Sequence, residues 1–303
     1  MKHYQIDAVQ TEEQLSRLVS EGDASLETCM RRLSRNIATH SDQRLIGLTG
    51  PTCSGKTTAA KLFNDYMEAH GHRVHVISVD DFYFDKEYLT RRADADPDIE
   101  IDYDSEDTID VELLAEKTER LLACKPTQMP RFDFRSGLRV DGEVITPRVG
   151  DLFLFEGIQL LYPSVREILS GASYRSIYIC PSSSISVGGE TFLPNEIRLM
   201  RRLVRDYRYR ASSPSFTLYL WQSVRANEER SIFPYVDACS DRIDSTMPYE
   251  IGMLKPYLEE ILPSVAADDA FYAEAQMILK KIASVQAVSS DLISDNSLYK
   301  EFI

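Results

Sequence analysis

The stretch Gly50-Pro51-Thr52-Cys53-Ser54-Gly55-Lys56-Thr57 fits the pattern G-x-x-x-x-G-K-[ST], and it narrows what the surrounding chain can fold into. Two glycines let the backbone turn tightly with its N–H groups pointing inward, a concave set of donors suited to phosphate oxygens. Lys56 adds a mobile positive charge, and Thr57 offers a hydroxyl to a magnesium ion. Such a loop needs a strand before it and a helix after it. Leu45-Ile46-Gly47-Leu48-Thr49 is a short apolar run, and Thr58 to Ala69 has helical spacing, so the context argues against a chance match in a Gly/Ser turn. A phosphate held there also meets the positive end of that helix. The loop therefore points to a chain that binds a nucleotide.

A parallel α/β sheet binds ligands outside the carboxyl ends of its strands, so polar residues that end apolar runs matter most. Arg73 to Val79 reads as a buried strand that leads into Asp80-Asp81-Phe82-Tyr83. One of the two aspartates is a candidate base or metal ligand facing the loop; a helix cap or Asx-turn is the alternative. His70, His72 and His75 lie close together, but no further Cys or His falls at ligand spacing, so a turn and strand are expected rather than a metal site. Asp151-Leu152-Phe153-Leu154-Phe155-Glu156-Gly157 is a second apolar strand that ends in a carboxylate, as the magnesium-holding acid of nucleotide sites does. Between them, nine of the seventeen residues from Asp94 to Asp110 are acidic. This is a solvated loop by composition, yet it places Tyr103-Asp104 before the expected helix Val111 to Leu122, where one carboxylate could grip hydroxyls. Pro130-Arg131-Phe132-Asp133-Phe134 follows a proline stop and is expected to line a pocket. Tyr174 to Cys180 should be the next strand, and Pro181 to Leu193 reads as a Ser/Gly loop.

Arg198, Arg201, Arg202, Arg205, Arg208 and Arg210 crowd one predicted helix. Like charges at i, i+4 and i+7 repel unless something anionic sits among them. Lys plus Arg total 34 against 48 Asp plus Glu, a net charge of −14, so pairing with acidic surface residues is one reading. The other is a lid helix that brings guanidinium groups to transferring phosphates. The same negative balance disfavours nucleic acid and anionic membrane as partners and favours a small molecule.

Thr11-Glu12-Glu13-Gln14 is a capping box that opens a helix through Leu15, Leu18 and Val19; a break at Gly22-Asp23 and a second helix are expected after it. Asp241 to Thr246 reads as a last short strand, followed by helices from about Tyr249 to Leu262 and from Asp269 to Val285. Phe271, Ala275, Ile278, Leu279 and Ile282 form an apolar stripe on the second. Five widely spaced cysteines fit reduced thiols, and Cys53 is expected to be a small inward residue of the loop. Neither a signal-peptide pattern at Met1 to Asp7 nor an apolar run of membrane-spanning length occurs, so a cytoplasmic location is expected.

The motifs in this order resemble the uridine kinase and phosphoribulokinase group of P-loop kinases. Within it they are most like the uridine-kinase-like bacterial nucleoside kinases that often carry an N-terminal TGS domain, which is not expected here. The likeness covers about residues 44 to 303. It rests on Gly50 to Thr58, Ser78 to Tyr83, Tyr103-Asp104, Pro130 to Phe134, Phe155 to Ile158, Ile197 to Tyr207, Trp221 to Val224, Ile232-Phe233-Pro234 and the Asn296 to Ile303 segment. It implies a P-loop NTPase fold: three-layer α/β/α with a mainly parallel sheet and helical additions at both ends. The expected parts are a helical lead-in over 1–43, a kinase domain over 44–262 with an Arg-rich lid near 198–212, and a helical extension over 263–303. Also implied are ATP as donor with Mg2+, a nucleoside or similar small molecule as acceptor, and room for a homo-oligomer. Gly50, Pro51, Thr52, Cys53, Ser54, Gly55, Lys56, Thr57, Thr58 and Arg210 would hold ATP, with Thr57, Glu156 and Asp80 on the metal. Asp80 would take the proton of the acceptor hydroxyl, helped by Lys56, Arg202 and Arg205, and Tyr83, Asp104, Phe132 and Arg202 would line the acceptor site. Uridine-cytidine kinases read a pyrimidine with a Tyr and a His where Phe132 and Gly137 stand here, and Ala211-Ser212 replaces a usual Gly-Arg. A kinase of another polyhydroxylated metabolite, or a nucleotide-binding regulator without transfer, are the alternatives. Retention of Asp80, Glu156 and the arginines argues against the regulator, and no N-K-x-D guanine motif occurs.

Overall fold

The computed structural model describes residues 2–7, 10–39, 43–95, 106–170 and 174–303. Its centre is a five-stranded parallel sheet of β2 (Leu45–Thr49), β3 (Val74–Ser78), β6 (Leu152–Glu156), β7 (Tyr174–Cys180) and β10 (Asp241–Asp244), in the order β10-β7-β2-β6-β3. The strand that feeds the phosphate loop, β2, is the middle one, and all five of its residues are buried. Apolar side chains of period two serve both faces of such a sheet. Ile46, Leu48, Leu154, Ile177 and Ile179 enter one core, and Leu45, Ile77, Phe153 and Phe155 the other.

The first face carries α1 (Glu12–Ala38), α2 (Lys56–Ala69), α6 (Pro194–Arg210) and α8 (Glu250–Ile261). α7 (Pro214–Ser231) packs on α6, and α9 (Tyr272–Ile282) packs on α8. The second face carries α4 (Val111–Leu122), capped by the Asp110 side chain, and α5 (Pro163–Ser170). The chain thus leaves β2 towards one face and β6 towards the other, and the crevice between these two strand ends is where such folds bind ligands.

Three expectations are corrected. The break at Gly22-Asp23 does not occur: α1 is one helix, and Gly22 serves as a gap in its surface, since a Cβ there would lie 2.8 Å from the Tyr249 ring. Pro130 does not stop a segment but sits inside β4 (Thr127–Asp133), which pairs with β5 (Leu138–Ile145) as an antiparallel hairpin; the register shifts between Gln128 and Pro130, where the proline has no N–H to give the ladder. The Ser/Gly stretch is also ordered. β8 (Ser184–Val187) and β9 (Glu190–Phe192) form a hairpin that turns at Gly188-Gly189, and β1 (His3–Gln5) adds to it in parallel, with Ile185, Val187 and Phe192 entering the core. α3 (Lys86–Ala95) follows the β3 turn. Among the described residues, no helix is long and apolar enough to cross a membrane.

Candidate nucleotide and acceptor site

The loop that joins β2 to α2 is built as its glycines require. Gly55 adopts φ 92° as the N-cap of α2, a left-handed conformation that any side chain would strain. Lys56 Nζ lies over the loop and donates to the carbonyls of Gly50 at 2.9 Å and Pro51 at 3.1 Å. A cavity of about 460 Å³ opens above it, lined by Thr52, Cys53, Lys56, Thr57, Asp80, Glu156, Arg205, Tyr209, Arg210 and Glu301 among others. Burial lowers the Lys56 pKa, and the carboxylates of Glu156, Glu301 and Asp80 work against that shift. Burial likewise pushes the Glu156 carboxyl above its ordinary range, with Lys56 opposing.

The two aspartates left open by the sequence diverge. β3 runs into a 3-10 turn over Val79–Phe82, which turns Asp80 into the cavity. Asp81 faces the hairpin and accepts from the Phe132 N–H at 3.0 Å, and burial raises its pKa. Asp81 is therefore a brace for β4. Asp80 is held by Gln159, a wholly buried residue of the turn after β6, whose Nε2 donates both to Asp80 Oδ1 and to the Tyr83 hydroxyl at 2.8 Å. Tyr83 in turn stands edge-on to Phe132 at 5.5 Å and to Phe134 at 6.3 Å. The hairpin is pinned further where the Arg139 N–H donates to Asp85 at 2.6 Å and its guanidinium pairs with Asp110 at 2.9 Å. Asp104 lies outside the described residues.

The arginines divide. α6 is a core helix rather than a free lid, with Ile197, Leu203 and Val204 fully buried. Arg198 is closed on Glu228 of α7 and donates to the Thr52 carbonyl at 3.1 Å. Arg201 pairs with Glu250 at 2.7 Å and donates to the Cys53 carbonyl at 3.2 Å. Both have no exposed surface, so they brace the phosphate loop from behind rather than face its contents. Arg202 is paired with Asp206 at 3.1 Å and does not border the cavity. Arg205, paired with Asp206 at 2.6 Å, borders it and reaches the Thr52 hydroxyl at 3.4 Å; Arg210 borders it at the more exposed end. Like-charged Arg205 and burial together lower the Arg210 pKa, burial first.

Thr57, Glu156 and Asp80 all supply oxygen atoms to the lining of the cavity. That set fits Mg2+, which takes one or two carboxylates and completes its shell with water and phosphate oxygens. Among the described residues, no cluster of three His, Cys, Asp or Glu forms a cage for a metal ion. His75 Nε2 donates to the Asp151 carboxylate at 2.8 Å, a tie between β3 and the residue that precedes β6.

Sequence reasoning missed Gln159, Tyr209 and Glu301. Gln159 left a faint signal, a polar residue within the apolar Ile158 to Leu161 turn. Glu301 left none that is local, since its contact with the Thr58 hydroxyl at 3.3 Å spans 243 positions.

Residues 45–245 match the model of the phosphoribulokinase / uridine kinase family. A uridine kinase of Lactobacillus helveticus is 29% identical over 170 residues, 56% of this chain and 70% of that protein. A uridine kinase of Clostridium botulinum is 31% identical over 164 residues, 54% of this chain and 68% of that one. The solved structure of the YGR205w protein superposes with a TM-score of 0.51 at 17% identity, covering 74% of this chain and 94% of that one, a likeness of fold alone.

Proposed function

The chain belongs to the phosphoribulokinase / uridine kinase family and is a P-loop kinase, and from that premise we propose that it phosphorylates the 5′-hydroxyl of a nucleoside, with ATP as donor and Mg2+ bound. The observation that carries this reading is Asp80: a carboxylate in the lining of the phosphate cavity, oriented by a buried amide and joined through it to the aromatic cluster of Tyr83, Phe132 and Phe134. A protein that only binds nucleotide has no use for a fixed carboxylate there.

Phosphoryl transfer asks mainly for in-line positioning and neutralised charge. The loop amides and Lys56 hold the donor phosphates, and Arg205 meets the charge that develops on the transferring group, with Arg202 held one turn back. Asp80 accepts the hydroxyl proton as the bond to phosphorus forms. Thr57 and Glu156 would hold Mg2+, which would supply neutralisation of phosphate charge. Tyr83, Phe132 and Asp104 hold the acceptor, whose nucleoside character is supported by the relatives named uridine kinases. Phe132 presents a ring without a hydrogen-bonding group, which favours as second reading a kinase of another polyhydroxylated metabolite.

Incubation with magnesium-ATP and a panel of nucleosides and sugar phosphates, with identification of the products, separates the two. If no nucleoside yields a monophosphate while ATP binds, the leading reading is wrong. Asp80→Asn should lower kcat by about 10²–10⁴-fold, the worth of a general base, with ATP affinity changed by less than about threefold, less than one hydrogen bond's usual effect.

A further inference from the structure

Gln159 sits in the 3-10 turn Ile158–Leu161 that follows β6, with Leu160 and Leu161 buried beside it. Its amide is sorted by what it faces. A carboxylate only accepts, so the Nε2 end meets Asp80, and its hydrogens go to Asp80 Oδ1 and to the Tyr83 hydroxyl. Oε1 is left over. It is buried without a hydrogen-bond partner among the described residues, in space that Gly157 leaves open, since a Cβ there would fall 2.5 Å from it. A buried carbonyl without a donor is costly and uncommon. An apolar side chain of the same shape would fill the turn without that orphan, so packing does not account for the amide. What its donors hold does.

One donor ends on the proposed base, which lines the cavity, and the other on Tyr83, whose ring stands against Phe132 and Phe134. With Oδ1 engaged by the amide, Oδ2 is the Asp80 oxygen left for a reacting hydroxyl. We infer that Gln159 is a positioning residue for the transfer, which fixes Asp80 so that Oδ2 faces the acceptor and ties that carboxylate to the Tyr83 cluster. Oδ2 then takes the hydroxyl proton while the acceptor oxygen bonds to phosphorus and the bond from phosphorus to the departing ADP breaks. The inference rests on Asp80 being the base.

Rates with magnesium-ATP, using uridine as acceptor and also water, in the slow hydrolysis of ATP, are compared among the unaltered chain, Gln159→Met, Asp80→Asn and the double variant. Methionine keeps the length of the side chain and removes both hydrogen bonds. It should lower kcat about 10–10²-fold, the effect of a reacting group misplaced by about 1 Å, with the KM for ATP within about threefold. In the Asp80→Asn background the same change should alter kcat by less than about twofold, because groups that act as a unit are not additive. A residue that only props the fold would lower kcat by one factor in both backgrounds, or act through the KM for ATP. Either result overturns the assignment, and so does an unchanged kcat. Tyr83→Phe runs the same cycle without altering the turn, so the test stands even where Gln159→Met does not fold. It should raise the KM for uridine and lower kcat about threefold, roughly one hydrogen bond's worth, only while Asp80 is intact; equal loss with and without Asp80 refutes the tie. If Asp80→Asn keeps full kcat, or the unaltered chain transfers to neither uridine nor water, the base itself is wrong and the proposed function falls too. If Asp80→Asn is crippled and Gln159→Met is not, only the positioning role falls.

Discussion

At the inner end of α6, Arg198 and Arg201 are wholly buried and closed on Glu228 and Glu250, whereas towards the outer end Arg205 and Arg210 share Asp206 and face the nucleotide cavity. One residue type, a turn or two apart on one helix, does two different jobs. Charge removed from water must be matched by opposite charge and hydrogen bonds, or the burial costs several kcal/mol per ion. The inner arginines meet that demand with carboxylates and with loop carbonyls. At the cavity, Arg205 and Arg210 keep charge directed at whatever anion enters.

Removing one inner arginine should have the largest effect. Arg201→Ala leaves Glu250 buried without its cation and should cost about 3–5 kcal/mol of stability, read as a lowered urea midpoint. A midpoint shift worth less than about 1 kcal/mol, the scale of an exposed pair, would place Arg201 with the cavity arginines and erase the comparison. Next comes Arg205→Ala. Asp206 keeps Arg202, so stability should move by no more than about 1 kcal/mol, while kcat falls about 10²–10³-fold, as for loss of a transition-state donor. Unchanged kcat would make the outer end structural too.

The smallest effect is on pH dependence. The Glu156 pKa is raised by burial, so it holds its proton to a higher pH than an ordinary glutamate, and magnesium-dependent turnover should start to fall on acidification earlier than such a residue would predict. The Lys56 pKa is lowered, so phosphate affinity should decline on the alkaline side below the ordinary lysine range. At the inner end, burial lowers the Arg201 pKa, but Glu250 and Tyr299 more than reverse this, and the guanidinium stays charged. Titration of ADP affinity alongside the urea midpoint should therefore show limbs in the first that have no counterpart in a double-mutant cycle on Arg201 and Glu250. A matching limb would break the distinction.

The same contrast explains what the sequence could and could not disclose. Strands that lie in a parallel sheet are apolar on both faces, so β2, β6 and β7 were legible to within a residue, and the phosphate loop with them. The arginine helix was legible as a helix, but its charge was read as aimed at phosphates because Glu228 and Glu250 lie 30 and 49 positions away. Sequence spacing shows repulsion among neighbours and hides partners brought in by folding. Asp80 and Asp81 look alike for a related reason: only the hairpin, which a proline disguised, decides which of them is tied up at Phe132. Gly22 shows the opposite error, a residue with a turn's appearance that tertiary packing keeps in a helix.

The contact of Leu298 with Gly55 also sets an order of events during synthesis. Every strand of the main sheet has been made once the ribosome passes Asp244, and that part of the chain can begin to collapse around β2. The phosphate loop still lacks the residue that packs on its second glycine and the carboxylate that reaches Thr58, because contacts so distant along the chain form late. A nascent chain thus completes its sheet before it completes its nucleotide site, and a ribosome that stalls between these points leaves a product whose sheet is whole and whose loop has yet to be closed from behind.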